Sequence, residues 1–338
     1  MKRLLFIRVD GGKEDGLGHI KRCISLANVV AKNKNFFDPI FIINKNNNIS
    51  KTILIKNNFL FFEVNGKINT KNELNDLNNI LKFDNKKFLI IDSKRVSRRY
   101  VTSLKKYAKV ITFEDEKKYN TNSDLLINNN IWALNFYKNQ KNKLLGLKYN
   151  TISNNFFKKN TFDHNSKKIL ISLGGEDPYN ITQKILKIIY PLLPGIKFLI
   201  ILGHSHPQKK TIRKFCISRN INSDIIDSPE DISFYLNKVR FVISAGGLSA
   251  YEFAAAGIPQ LITVLDKHQN LMVKKISNAK CGIILSHTNK YSKRIISNKF
   301  LNFYNDQNLL KKMNNNGRKM IKKSGCDLIV YNLLKKNL

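Results

Sequence analysis

Three short stretches carry the residue types that could do chemistry, and each begins where an apolar run gives way to glycine. The first is Arg8-Val9-Asp10-Gly11-Gly12, continued by Gly16-Leu17-Gly18-His19 and by Arg22-Cys23. Glycine lets backbone approach a ligand closely, and a helix start offers free N–H groups and the positive end of a dipole. An imidazole at such a point suits general-base work, because its ordinary pKa near ~6.5 leaves it neutral and ready to accept a proton. The adjacent dipole end favours the neutral form further. Read alone, His19 serves equally as a helix cap. A dinucleotide fingerprint would run GxGxxG; here Gly18 is followed by His19, and Cys23 stands further on, so NAD binding is not supported.

The second stretch is Gly174-Gly175-Glu176-Asp177-Pro178-Tyr179-Asn180, after the apolar 168–173. Two glycines at such a turn suit a diphosphate or a ribose packed on backbone, while Asp177 or Asn180 could instead cap the next helix. The third is Ser244-Ala245-Gly246-Gly247-Leu248-Ser249-Ala250-Tyr251-Glu252, closing on Gly257-Ile258-Pro259. Gly246 and Gly247 can set N–H groups against phosphate oxygens. Glu252, one turn on, can accept hydrogen bonds from two ribose hydroxyls or cap the helix. Asp266, Lys267, His268, Gln269 and Asn270 add polar groups at the following strand end. Three glycine turns of one kind are harder to attribute to chance than one.

Such turns need strands before them and helices after. Strands are expected at 4–9, 39–43, 88–91, 109–113 and 125–128, with helices at 20–32, 74–81 and 101–107. The polar, aperiodic 154–168 reads as a domain boundary. The alternation restarts with strands at 168–173, 197–202, 223–226, 240–244 and 260–263, helices at 181–190, 211–219, 233–237 and 249–256, and helical chain from 309 to a lysine-rich tail. Strands alternating with helices imply right-handed crossovers and parallel sheets. The expected fold is α/β: two tandem Rossmann-like, doubly wound domains, 1–157 and 158–338, with a cleft between them.

With 338 residues, 42% hydrophobic and 10% aromatic, the chain is long enough for two domains and can bury cores, which excludes wholesale disorder. The 59 Lys+Arg against 24 Asp+Glu give a formal charge of +35, which would ordinarily point to nucleic acid or an anionic membrane face. Arg supplies only 11 of these cations while Lys, Asn, Ile and Phe abound, so codon composition accounts for much of the charge. No aromatic-rich RNA motif or helix-turn-helix signature accompanies it, and no specific nucleic-acid partner is expected. The basic surface would suit peripheral contact with an anionic membrane. Four widely spaced cysteines form neither a metal site nor a disulfide framework, so a reducing cytoplasm is expected; the chain is expected to be a monomer. Leu4 to Ile7 is too short for a signal peptide, and no run of about 18 apolar residues exists.

Taken together, the His19 motif, Gly174–Asn180 and Gly246–Glu252 resemble the nucleotide-sugar hydrolases of the pseudaminic acid pathway, grouped with the spore-coat polysaccharide SpsG-type proteins. Further matches are Ile90-Ile91-Asp92, Phe113-Glu114-Asp115-Glu116, Asp124 to Asn128, Gly146 to Tyr149, and Ser324-Gly325-Cys326. The resemblance implies a fold similar to the GT-B transferase that adds N-acetylglucosamine to the peptidoglycan lipid precursor. It also implies release of UDP from a UDP-linked diacetamido-trideoxy sugar: His19 activates a water that attacks the anomeric carbon with inversion, without metal or cofactor. Sugar contacts would come from Asp10, Gly16, Gly18, Arg22, Asp92 and Lys94. Nucleotide contacts would come from Gly174, Gly175, Asp177, Gly246, Gly247, Leu248, Ser249, Glu252, Gln269 and Asn270. The chain departs from the family at Lys94, near the place of a pocket tyrosine, and at Asn150-Thr151-Ile152-Ser153, where an arginine is usual. A GT-B transferase with a glycan acceptor in place of water is the rival reading.

Overall fold

The computed structural model describes residues 2–12, 16–82, 87–115, 121–137, 141–158, 162–175, 177, 179–204, 206–288 and 291–335. Glu116, Glu176 and Pro178 of the motifs above lie outside the described residues. The chain forms two compact units, one of residues up to Ser153 together with those from Ser324 onward, the other of Asn154–Lys323.

The first unit runs β1 (Leu4–Val9), α1 (Gly18–Ala31), β2 (Ile40–Asn44), α2 (Asn48–Lys56), β3 (Phe61–Val64), α3 (Lys71–Ile80), β4 (Lys87–Asp92), α4 (Arg98–Leu104), β5 (Lys109–Phe113), β6 (Leu125–Asn128) and β7 (Lys143–Leu145). Its sheet has the order β3-β2-β1-β4-β5-β6-β7, with every pairing parallel. Helices cover both faces, so the inner strands are apolar throughout rather than alternating; β4 is buried at all six positions. Winding reverses between β1 and β4, and ligands of such sheets bind at that point, outside the carboxyl ends of the strands. Register sets Val9 beside Asp92, so the turn after β1 and the end of β4 are neighbours.

The second unit runs β8 (Lys168–Ser172), α5 (Ile181–Ile189), β9 (Lys197–Leu202), α6 (Lys209–Ser218), β10 (Ser223–Asp227), β11 (Phe241–Ala245), α7 (Leu248–Ala255), β12 (Gln260–Val264), α8 (Asn270–Asn278), β13 (Ile283–His287), α9 (Lys293–Asn305) and α10 (Gln307–Met320). The parallel order β10-β9-β8-β11-β12-β13 is the doubly wound order of dinucleotide-binding folds, with its reversal between β8 and β11. Ser172 pairs with Ser244, which sets the two glycine turns of this unit side by side. Two Rossmann-like units in tandem are what the strand–helix alternation predicts.

The boundary differs from the sequence reading. The units divide at 153/154 rather than 157/158, because Asn154–Phe157 forms a short 3-10 turn whose Phe156 is buried in the second unit. The final helix, α11 (Cys326–Lys335), returns to the first unit. Its Cys326, Ile329, Val330 and Leu333 enter the same core as Ile20, Cys23, Leu26 and Val30 of α1. Arg3 donates to the Leu333 carbonyl at 2.9 Å, and Gly325 N–H to the Asn150 carbonyl at 2.8 Å. A Cβ on Gly325 would lie 2.4 Å from the Lys148 carbonyl oxygen, so this joint requires glycine. Among the described residues, no helix is long and apolar enough to cross a membrane.

Candidate functional site

In the first unit the turn after β1 is built from backbone. Gly12 and Gly16 exchange two hydrogen bonds, of 3.1 and 2.7 Å, with φ of +129° and +70°, a region open chiefly to glycine. A Cβ on Gly11 would lie 2.7 Å from Ile20 Cγ2, so α1 presses directly on the turn. Gly18 opens α1 and is exposed. His19 follows in the first turn, where it does not cap the helix: its Nδ1 lies 2.7 Å from Asp92 Oδ1, and its side chain is 9% exposed.

Arg22, one turn along the same helix face, binds two carboxylates at once. Its Nε donates to Asp92 Oδ2 at 2.5 Å and its Nη2 to Asp92 Oδ1. Nη1 donates to Asp115 Oδ1 at 2.8 Å, and Nη2 stands 2.7 Å from Asp115 Oδ2. The guanidinium lies 4.7 Å from the Phe113 ring centroid. Burial alone would raise the Asp92 carboxyl, but Arg22 and then His19 outweigh it and hold Asp92 well below the usual carboxylate range. Burial works to lower the Arg22 pKa, yet Asp115 and Asp92 raise it far above its ordinary value. Donor atoms of His19, Asp92 and Asp115 lie within 4.8 Å of one another, close enough to hold a metal ion; the Arg22 guanidinium stands among them and already supplies positive charge.

A small pocket opens on this group, lined by His19, Arg22, Asp92, Ser93, Lys94, Phe113, Glu114 and Asp115. Lys94 thus lines the same pocket as His19. Asp10 is not in this lining. Its Oδ2 pairs with Arg8 Nη2 at 2.8 Å and its Oδ1 accepts from Asn44 N–H at 2.8 Å, leaving it 6% exposed. Arg8 is wholly buried and also donates to Glu73 at 2.6 Å, which in turn accepts from the Tyr100 hydroxyl at 2.8 Å. This network anchors the β1 turn to α3 and α4. Sequence reasoning assigned no role to Glu114 and Asp115. Their signal was a pair of acids directly after β5, whose Phe113 pairs with Asp92 in register.

In the second unit the glycine turns stand at the reversal point. Gly174 adopts φ +91°, and a Cβ on Gly174, Gly175 or Gly247 would meet nothing within 4 Å, so all three present open backbone. Gly247 precedes α7, whose Leu248, Ser249 and Glu252 are half-buried. Gly246 is closed in: a Cβ there would lie 2.4 Å from Val273 Cγ2 and 3.0 Å from Gln269 Cβ. Gln269 accepts from Leu265 N–H at 2.9 Å, and Asn270 opens α8. Asp177, expected among the nucleotide contacts, is engaged by its own helix. Its two oxygens accept from Ile181 and Thr182 N–H at 2.8 Å each, and His206 Nε2 lies 3.5 Å away. The free donors at the start of α5 thus claim the carboxylate.

Against known proteins, the family profile of the glycosyltransferase family 28 C-terminal domain matches residues 153–329, just over half of the chain. A protein of Methanocaldococcus jannaschii, the uncharacterized MJ1062, is 25% identical over 274 residues, covering 76% of this chain and 54% of its own length. The spore coat polysaccharide biosynthesis protein SpsG of Bacillus subtilis is 26% identical over 128 residues, 37% of each chain. The chain thus spans about half, or less, of the length of these curated relatives. MurG of Acinetobacter baumannii superposes with a TM-score of 0.71 at 13% identity, covering 99% of this chain and 100% of its own. The UDP-GlcNAc 2-epimerase of Neisseria meningitidis, solved bound to UDP-GlcNAc, gives 0.68 at 16% identity, covering 99% and 100%. The fold is therefore of the GT-B type expected from the motifs, and the chain belongs to the family defined by the glycosyltransferase family 28 C-terminal domain.

Proposed function

We propose that the chain is a nucleotide-sugar hydrolase that releases UDP from a UDP-linked diacetamido-trideoxy sugar in nonulosonic-acid or surface-glycan synthesis. The observation that carries this reading is His19: a buried imidazole at the reversal point of the first sheet, opening on a pocket, with no hydrogen-bond partner at Nε2 among the described residues. In the step proposed, Nε2 takes a proton from water as the water oxygen attacks the anomeric carbon. The bond from that carbon to the diphosphate oxygen breaks, and UDP leaves with the electron pair. UDP is a good leaving group, so the demands are a placed water, a base and cover for the diphosphate charge.

The nucleotide falls to the second unit, where Gly174, Gly175 and Gly247 offer open backbone and Leu248, Ser249, Glu252, Gln269 and Asn270 stand nearby. The UDP-GlcNAc bound by the similarly folded epimerase supports a UDP-sugar. The sugar falls to the first unit, near Gly16, Gly18 and Lys94, and the relation to SpsG supports a place in polysaccharide synthesis. The family itself favours a second reading, a transferase that passes the sugar to a glycan acceptor. Incubation with candidate UDP-sugars and no acceptor separates the two. Steady UDP release supports hydrolysis; release only when an acceptor is added makes the protein a transferase.

A further inference from the structure

From the contacts around His19 we infer that Asp92 and Arg22 are positioning residues for that imidazole and make no contact with the sugar: they fix its Nδ1–H tautomer and turn the Nε2 lone pair to the pocket. The inference deepens the hydrolase reading and rests on it for the role of His19. A carboxylate can only accept a hydrogen bond, so the 2.7 Å contact between His19 Nδ1 and Asp92 Oδ1 requires the proton on Nδ1. An unprotonated Nδ1 would set two lone pairs against each other. Arg22 Nη2 also lies 3.1 Å from Nδ1, but a guanidinium only donates and cannot bond a nitrogen that already carries its proton. The closer and buried partner, Asp92, therefore decides the tautomer.

Asp92 is itself held rigidly. Both its oxygens accept from Arg22, and the Cys23 thiol stands 3.4 Å from Oδ2. Arg22 is gripped in turn by Asp115 and lies over Phe113. The Asp92 side chain is 0% exposed and that of Arg22 4%, so a sugar hydroxyl could reach the carboxylate only by displacing His19 or Arg22. Every oxygen of Asp92 already has a donor, as a group acting through its neighbour requires.

The test uses the full chain labelled with nitrogen-15 in its histidines, with His19→Asn identifying the His19 signals by their loss. Wild type is expected to show His19 with its proton on Nδ1. In Asp92→Asn, the amide oxygen takes the Oδ2 place against Arg22 Nε and the NH2 takes the Oδ1 place against Nδ1, with Arg22 Nη2 left to Asp115, so the proton moves to Nε2. Turnover of a UDP-sugar then falls by roughly 10²–10⁴-fold, the range of a lost general base, with KM unchanged. A wild-type His19 protonated on Nε2 overturns the inference without any variant. So does an Asp92→Asn protein whose KM rises while kcat and tautomer stay as they were. If no UDP-sugar is hydrolysed by wild type while the tautomer shifts as described, the hydrolase reading fails and the positioning role stands.

Discussion

Gly246 and Gln269 meet so closely that a side chain on the glycine would strike the glutamine Cβ at 3.0 Å, and Val273 Cγ2 closer still at 2.4 Å. The next residue, Gly247, faces open space. The two glycines of one motif therefore separate experimentally. Gly246→Ala should destabilise the second unit by roughly 1–3 kcal/mol through overpacking. Gly247→Ala should melt like wild type, yet weaken UDP by about tenfold or more, ~1.4 kcal/mol, because a methyl fills the space a phosphate would take. Calorimetry with UDP and thermal melts of both variants decide the matter; unchanged UDP affinity in Gly247→Ala would remove that turn from the nucleotide site.

His19 and Glu252 should fail in opposite ways. His19→Asn leaves UDP affinity nearly intact while turnover drops roughly 10²–10⁴-fold, as expected when a base is lost. Glu252→Ala should weaken UDP by about 1–3 kcal/mol under the proposed nucleotide site, where it would accept from ribose hydroxyls. Paired measurements of UDP affinity and single-turnover rate give the split. A folded His19→Asn protein that turns over like wild type would sink the proposed mechanism.

Acid should unfold the protein along a defined limb. Burial would raise Asp177, but the nearby His206 and the hydrogen bonds from Thr182 and Ile181 hold it below the usual range, and Arg22 does the same for Asp92. In the unfolded chain both return to about 3.9, so on acidification the unfolded state takes up protons first. The stability these groups contribute is complete above about pH 4 and is lost as pH falls further, through the folded values. Asp177→Asn should therefore lie well below wild type in melting temperature near neutrality and approach it as pH falls below about 4. A gap that stays constant from neutrality to below about pH 4 would show that the Asp177 charge is not what holds α5.

The cysteines should be inert until the protein unfolds. Cys23, Cys216, Cys281 and Cys326 are between 0% and 4% exposed. Burial pushes Cys281 up to about 11 and Cys326 up to about 12, and it raises Cys23 and Cys216 as well. Thiolate is the reactive form, so mild alkylation at about pH 8 should modify none of them in the native protein and all of them in denaturant. Rapid native labelling of any one would mark a local opening.

Legibility in the sequence followed the physics of burial. β1, β5, β6 and β9 fall exactly on the predicted 4–9, 109–113, 125–128 and 197–202, because a strand covered on both faces is an unbroken apolar run. The edge strands β3, β7 and β13, the short α2, and α8 and α9 are not among the elements the sequence pattern predicts. β3 is largely exposed and β7 has three residues, so neither produces a run. At the site, the glycine turns and His19 could be found because each stands at a strand end. The partner of His19 could not: Asp92 looked like a sugar contact, since only tertiary structure turns its carboxylate inward to Arg22. The cue was the i, i+3 spacing of His19 and Arg22, which sets both on one helix face. α11 falls within the stretch from 309 expected to be helical; its docking in the first unit through Cys326, Ile329, Val330 and Leu333 is a tertiary fact that no local pattern carries.

The return of α11 to the first unit reverses the order in which the two units can be finished during synthesis. Residues up to 153 emerge first, but their core lacks Ile329, Val330 and Leu333 until the chain beyond 324 has been made. The second unit is continuous from Asn154 to Lys323 and holds its whole core within that stretch. The part that begins first must wait, its α1 face uncovered, while the part that begins later closes. A fragment ending at 323 would keep that face exposed permanently, with His19 and Arg22 on the helix it was meant to brace.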